Sequence, residues 1–196
     1  MDPIFLQPLR FAGADLALDL SGALWWARER VLAVADLHLE KGSSYAAHAG
    51  RLVPPYDTAQ TLRRLQAVVS RLRPATVICL GDSFHDRHAG SRLAPADAAV
   101  LRALIEGQRG IWISGNHDPA PPPEGYIAGS GGIFRDLHIH DFDAIRFVTG
   151  REIVEVYADG SVRETAWFGQ HDDVDAAVAT VRLDDGALSV VTGTRR

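Results

Sequence analysis

The chain has 196 residues, of which 46% are hydrophobic and 23% charged, and its formal net charge is -5. This is the composition of an ordinary globular chain, long enough to bury a core as about one domain. It argues against a nucleic-acid binder built on broad positive charge. Cys79, the single cysteine, rules out a disulfide framework. No apolar run approaches the ~18 residues of a membrane span. No basic stretch precedes an apolar one at the start, so a cytoplasmic setting without signal peptide or membrane is expected.

In chain order, residues 14 to 26 alternate. Leu16, Leu18 and Leu20 share a face, Ser21-Gly22 turns, and Ala23-Leu24-Trp25-Trp26 returns, which predicts an opening hairpin. Val31 to Ala35 is an apolar strand that delivers Asp36 and His38. Glu40 to Tyr45 reads as a polar, glycine-containing loop, and Val53-Pro54-Pro55-Tyr56 cannot be helical throughout. Asp57 or Thr58 caps a helix whose apolar stripe is Leu62, Leu65, Val68, Val69 and Leu72, ended by Pro74. Ala75 to Leu80 is the next strand, too short for a helix and rich in β-branched residues. The strand–helix–strand order predicts a parallel sheet.

Pro95 to Glu106 reads as a second helix, with Gly107 near its end. Ile111 to Ser114 is a third strand. Asp118-Pro119-Ala120-Pro121-Pro122-Pro123 stops regular structure, and Gly125 to Gly132 is expected to be loop. Ile153 to Tyr157, a turn at Asp159-Gly160 and Val162 to Phe168 predict a hairpin. Ala179 to Leu183, a turn at Asp185-Gly186 and Ala187 to Val191 predict another. A short helix is expected between them at Asp172 to Val178.

Each of the three apolar strands ends in chemistry. Asp36-Leu37-His38 places a carboxylate and an imidazole two residues apart, so that in an extended segment both reach one ion. Gly81-Asp82-Ser83-Phe84-His85-Asp86 throws out Asp82, a carboxylate able to bridge two ions. Gly115-Asn116-His117-Asp118 offers a neutral oxygen from Asn116 and a proton donor in His117, whose tautomer Asp118 can fix. Open α/β sheets place ligands at this carboxyl edge. His48 and His88 fall in polar loops and read as solvated. Trp25, Trp26, Trp112 and Trp167 read as core or sheet-face residues.

Taken together these motifs resemble the calcineurin-like metallophosphoesterases, whose signature is Asp-x-His, Gly-Asp-x-x-(x)-Asp and Gly-Asn-His-Asp/Glu. Ala35 to Ser44, Pro54 to Thr58, Gly81 to Asp86 and Gly115 to Pro119 are similar to the bacterial DNA ligase-associated branch, and the resemblance covers residues 10 to 125. It implies an α/β fold, a two-sheet β-sandwich flanked by helices in four αββα layers. Residues 1–196 would be one domain with an atypical hairpin-rich part at 148–196. It implies a hydrolase, a two-metal phosphodiesterase or DNA-repair endonuclease. The cofactors would be two divalent ions, with manganese favoured. Asp36, His38 and Asp82 would hold the first, Asp82 and Asn116 the second. His117 would act at the scissile phosphate with Asp118 behind it, and His85 and Asp86 would support the ligands. The implied partners are a phosphodiester such as single-stranded DNA, a DNA ligase and a helicase.

The chain departs from that pattern late. It has no Gly-His-x-His. His138 and His140 have the His-x-His spacing and are the candidate substitute metal ligands, or one of them is the lone ligand ahead of a degenerate final motif. They also read as one face of an edge strand. His171, in Gly169-Gln170-His171-Asp172, stands as a degenerate final motif or a surface loop. The alternatives are a degenerate fold acting as a binding or scaffold partner, and a phosphomonoesterase.

Overall fold

The computed structural model describes residues 6–50, 54, 56–115, 117–118 and 122–195. Contacts divide the chain into two compact units, Met1–Gly129 and Ser130–Arg196. The architecture is α/β, with a mixed sheet and a separate antiparallel sheet, each with helices.

The first unit is organised by a seven-stranded sheet whose strands lie in sequence order: β1 (Leu6–Phe11), β2 (Ala14–Asp19), β3 (Leu24–Trp26), β4 (Val31–Val34), β5 (Thr76–Leu80), β6 (Arg109–Ser114) and β7 (Ile127–Ser130). β1 to β4 pair antiparallel through tight connections. β4, β5 and β6 are parallel, as the crossovers require. The first crossover carries α1 (Lys41–Ala49) and α2 (Asp57–Leu72), the second α3 (Ala89–Arg92) and α4 (Pro95–Ala103). The expected stripe on α2 is buried at Leu62, Leu65, Val68 and Leu72. It packs in one core with Leu32, Val77, Cys79, Leu101 and Trp112.

Two local expectations fail here, for identifiable reasons. Glu40 to Tyr45 is not loop, because α1 starts at Lys41. Its weak helix formers are held from outside. The Glu40 N–H donates to Thr58 Oγ1 at 2.8 Å and the Gly42 N–H to Asp57 Oδ2 at 2.9 Å, which satisfies donors a helix start leaves open. The glycine-rich run contains β7 rather than a continuous loop. A Cβ on Gly129 would meet Ile113 Cδ1 at 2.6 Å, so this glycine permits close approach to β6 instead of making a turn.

The second unit holds α5 (Ile133–Asp136), α6 (His138–Thr149), β8 (Ile153–Ser161), α7 (Ala166–Gln170), β9 (Ala176–Leu183) and β10 (Leu188–Thr194). The sheet order is β10-β9-β8, antiparallel throughout. Ile133, His138, Phe168, Ala179, Val181, Leu183 and Val191 are buried.

The second predicted hairpin is present and longer than expected. The first is absent, because β8 runs straight through Asp159-Gly160. A Cβ on Gly160 would meet Val174 Cγ2 at 2.7 Å and Ala176 O at 3.0 Å, so the glycine allows strand and turn to touch. Val162 to Phe168 leads into α7. The helix expected at 172–178 is replaced by a turn. The Asp175 carboxylate there accepts the N–H groups of Arg163, Glu164 and Thr165 at 2.7, 2.8 and 2.6 Å, a local alternative to helical pairing. His138 and His140 lie on α6, not on an edge strand. Among the described residues no helix is long and apolar enough to cross a membrane.

Candidate functional site

At the carboxyl edge of the parallel strands, two loops continue side by side after the strands end. The Asp36 N–H donates to Gly81 O at 3.4 Å, His38 N–H to Asp82 O at 3.0 Å and Leu39 N–H to Ser83 O at 2.8 Å. The pairing runs through left-handed backbone at Asp36 (φ 52), His38 (φ 44) and Asp82 (φ 45). Each such residue costs about 1–2 kcal/mol, and the two loops together hold them there. The result turns three donor side chains toward one point.

One ligand atom from each of Asp36, His38 and Asp82 lies within 4.8 Å of the others. This is the candidate metal group among the described residues, and neither His138 nor His140 is part of it. Asn116 lies outside the described residues. His38 Nε2 is 3.9 Å from Asp36 Oδ1, and the His117 N–H donates to Asp82 Oδ1 at 3.0 Å. The rings of His38, His85 and His117 lie 5.2, 5.5 and 6.0 Å apart, centroid to centroid. His38 Nδ1 and His85 Nδ1 approach to 3.3 Å, so one must donate and the other accept. Burial first, then the neighbouring His38 and His117, lower the pKa of His85, which favours the neutral imidazole that ligates cations. Asp86 is tied to Arg92 at 2.6 Å. Its burial opposes ionisation, but hydrogen bonds from Arg92 and Ser44 win and hold it well below the usual carboxylate range.

Asp118 does not support His117. It is 1% exposed, and its two oxygens accept the Gly115 N–H at 2.9 Å and the Phe84 N–H at 2.9 Å, pinning the strand ends together. Gly115 has no room for a side chain: a Cβ would meet Asp82 N and Asp82 Oδ1, both at 2.2 Å.

In the second unit, His138 is fully buried. Its Nδ1 pairs with Asp141 Oδ2 at 2.9 Å, and its Nε2 has no hydrogen-bond partner among the described residues. Gly193 makes room for this ring, since a Cβ there would meet His138 Cε1 at 2.5 Å. His171 Nδ1 donates to Trp167 O at 2.9 Å, and the ring lies against Trp167 at 4.2 Å. His140, on the first turn of α6, is exposed, and its imidazole has no hydrogen-bond or ion-pair partner among the described residues. It is the most exposed of the three later histidines. Its helical setting was legible in Ile133, Leu137 and Phe142 after Gly132, a signal the His-x-His spacing obscured.

By fold the molecule is an α/β protein with ligand-type side chains at a parallel-sheet edge. Comparison with known proteins refines this for the later part of the chain. Residues 107–196 match the GFO/IDH/MocA C-terminal domain. The chain is 52% identical over 81 residues to a myo-inositol 2-dehydrogenase of Thermotoga maritima, covering 41% of this chain and 24% of that protein. It is 36% identical over 138 residues to a scyllo-inositol 2-dehydrogenase (NAD(+)) of Bacillus subtilis, covering 69% of this chain and 39% of that protein. The chain thus spans well under half the length of these curated relatives. Among solved structures, a nuclease MPE of Pseudomonas putida aligns at 30% identity over 64% of this chain and 60% of that chain, with a TM-score of 0.49. A likeness of that size carries no functional argument.

These matches overturn the metallophosphoesterase reading. Its last motif, Gly115 to Asp118, falls inside the stretch that matches an oxidoreductase domain, and the relatives are inositol dehydrogenases. The hydrolase class, the phosphodiesterase, endonuclease and DNA-repair role, and the scaffold and phosphomonoesterase alternatives fall with it. So do the pair of divalent ions with manganese, and the single-stranded DNA, ligase and helicase partners.

Proposed function

We propose that residues 107–196 form part of the substrate side of an inositol-type dehydrogenase. The observation that carries the reading is the 52% identity over 81 residues to a myo-inositol 2-dehydrogenase. The ligand is then a cyclic polyol, a ring of secondary alcohols that needs hydrogen-bond partners rather than charge neutralisation. His140 suits that need: its imidazole is exposed, unengaged, and both donor and acceptor in its neutral form. His138, buried against Asp141, orients the start of the same helix.

NAD(+), in the printed name of the Bacillus subtilis relative, is not fitted by the residues at this chain's parallel-sheet edge.

The test is calorimetric titration of myo-inositol into the full chain. Saturable heat is expected, weakened about tenfold, or ~1.4 kcal/mol, by His140→Ala. Absence of saturable heat from the unaltered chain contradicts the reading, and an unchanged affinity in His140→Ala removes His140 from it.

A further inference from the structure

We infer that the face of the seven-stranded sheet turned away from its helices is where a second copy of this chain docks, sheet on sheet, to make a two-fold dimer. The inference goes beyond the polyol reading and does not depend on it.

The sequence writes β4, β5 and β6 for burial on both sides. Val31-Leu32-Ala33-Val34, Val77-Ile78-Cys79-Leu80 and Ile111-Trp112-Ile113 are unbroken apolar runs, the pattern of parallel strands covered on two faces. The first unit covers one of them. Leu32, Val77, Cys79 and Trp112 share a core with Leu62 of α2 and Leu101 of α4. The residues that alternate with them point the other way. Ile78, Ile111 and Ile113 are half-buried there, and Leu80 is 51% exposed.

The strand registers carry this face across the sheet. Gln7, Leu18, Leu24, Ala33, Ile78 and Ile111 stand opposite one another in a single row through six strands. Beside that row Leu9 pairs with Leu16, Trp26 with Val31 and Leu80 with Ile113. Leu9, Leu18 and Trp26 are 37, 44 and 36% exposed. Val31 continues through Thr76 to Arg109, the one charged side chain in these rows. At the far edge the bare Gly129 of β7 lets Ile113 lie over it, since a Cβ there would meet Ile113 Cδ1 at 2.6 Å. The result is a broad apolar surface of the kind that marks a protein–protein contact.

A second copy fits this surface better than an unlike partner does. The rows hold no carboxylate and a single arginine, so they offer no charge pattern for an unlike partner to match. A face this apolar resembles half of a domain core, which is the character of homodimer interfaces. Its size also suffices. Seven strands ~4.8 Å apart, with three rows of side chains along them, span about 29 by 17 Å, a footprint of about 500 Å² a side. Two such faces bury about 1,000 Å² together, the size at which a specific interface begins. Stacked about a two-fold axis at the ~10 Å of packed sheets, each face is covered by the other. The contact therefore closes at two copies.

Sedimentation equilibrium of the full chain from about 1 to 100 μM reads the result. A dimer is expected. Leu18→Arg and Leu80→Arg are each expected to weaken it about a hundredfold, because each puts an unpaired charge inside the stack. Both side chains are exposed in the single chain, so the variants keep their fold, which circular dichroism checks, and either one serves if the other fails. Val190→Arg, at a side chain 62% exposed on β10 of the other sheet, is the control and is expected to leave the dimer intact. A chain that stays monomeric across the range overturns the inference. So does a dimer unchanged by both Leu18→Arg and Leu80→Arg, or one that Val190→Arg dissociates in their place.

Discussion

Asp173→Ala is expected to destabilise the second unit by about 3–5 kcal/mol, the usual cost of removing one partner from a buried ion pair. Asp173 and Arg195 pair with side chains 6% and 2% exposed. The same carboxylate accepts the Ser130 hydroxyl and the N–H groups of Ile133 and Val174. Arg195 also donates to Val174 O at 2.7 Å, and its guanidinium lies 4.2 Å over the Phe168 ring, itself fully buried. Removing the carboxylate takes the ion-pair partner Asp173 from a buried guanidinium and frees the start of α5. The double change Asp173→Leu with Arg195→Met leaves no buried charge and is expected to lose much less than the single one. Urea unfolding of the three proteins measures this. A single variant within ~0.5 kcal/mol of the unaltered chain contradicts the account. Burial works against ionisation of Asp173, but the bonds from Ser130 and Arg195 prevail and lower its pKa below the ordinary 3.8. Its stabilising contribution is therefore complete above pH 3.8 and is lost as pH falls through the lower folded value.

Asp118 has the opposite sign. Burial, the dominant cause, pushes its carboxyl up to about 6 against the bonds from Phe84 and Gly115, and the charge of Asp82 adds to the rise. Between pH 3.8 and about 6 the folded chain keeps a proton that the unfolded chain has released. Stability from this group should fall as pH rises through that window, by ~3 kcal/mol in all. Asp118→Asn should flatten that part of the profile. It should also lower stability at every pH, since one amide oxygen replaces two acceptors for two buried N–H groups. Unfolding midpoints measured from pH 3.5 to 7 decide the matter. A slope at Asp118 that survives the substitution belongs to other groups.

Much of the first unit was legible from the residues. The apolar runs at Val31, Val77 and Ile111 are strands, the Leu62 to Leu72 stripe is the buried face of α2, and the crossovers make the strands parallel. The convergence of Asp36, His38 and Asp82 followed from placing each after such a strand. Failures cluster where glycine served packing instead of turning. Gly129 and Gly160 lie inside strands because a neighbour leaves no room for a Cβ. Periodicity sees a glycine but not what stands beside it. Asp175 misled for a related reason: its carboxylate organises three distant N–H groups, a tertiary role invisible in local pattern.

The functional reading failed differently. Gly, Asp and Asn are common in the turns that end strands, so short motifs of these residues marked where side chains converge without fixing what the protein does. The similarity of residues 107–196 to a known domain carried that information, and the spacing motif in that segment, His138-Ile139-His140, pointed to metal ligation instead.

The measurement that bears most directly on the proposed function is a residue-resolved NMR titration of the full chain with myo-inositol. Saturable shifts should appear at His140 and the first turn of α6, and the amides of Asp36, His38 and Asp82 should stay still. Shifts confined to Asp36, His38 and Asp82, or none anywhere, would contradict the assignment of residues 107–196 to the substrate side of an inositol-type dehydrogenase.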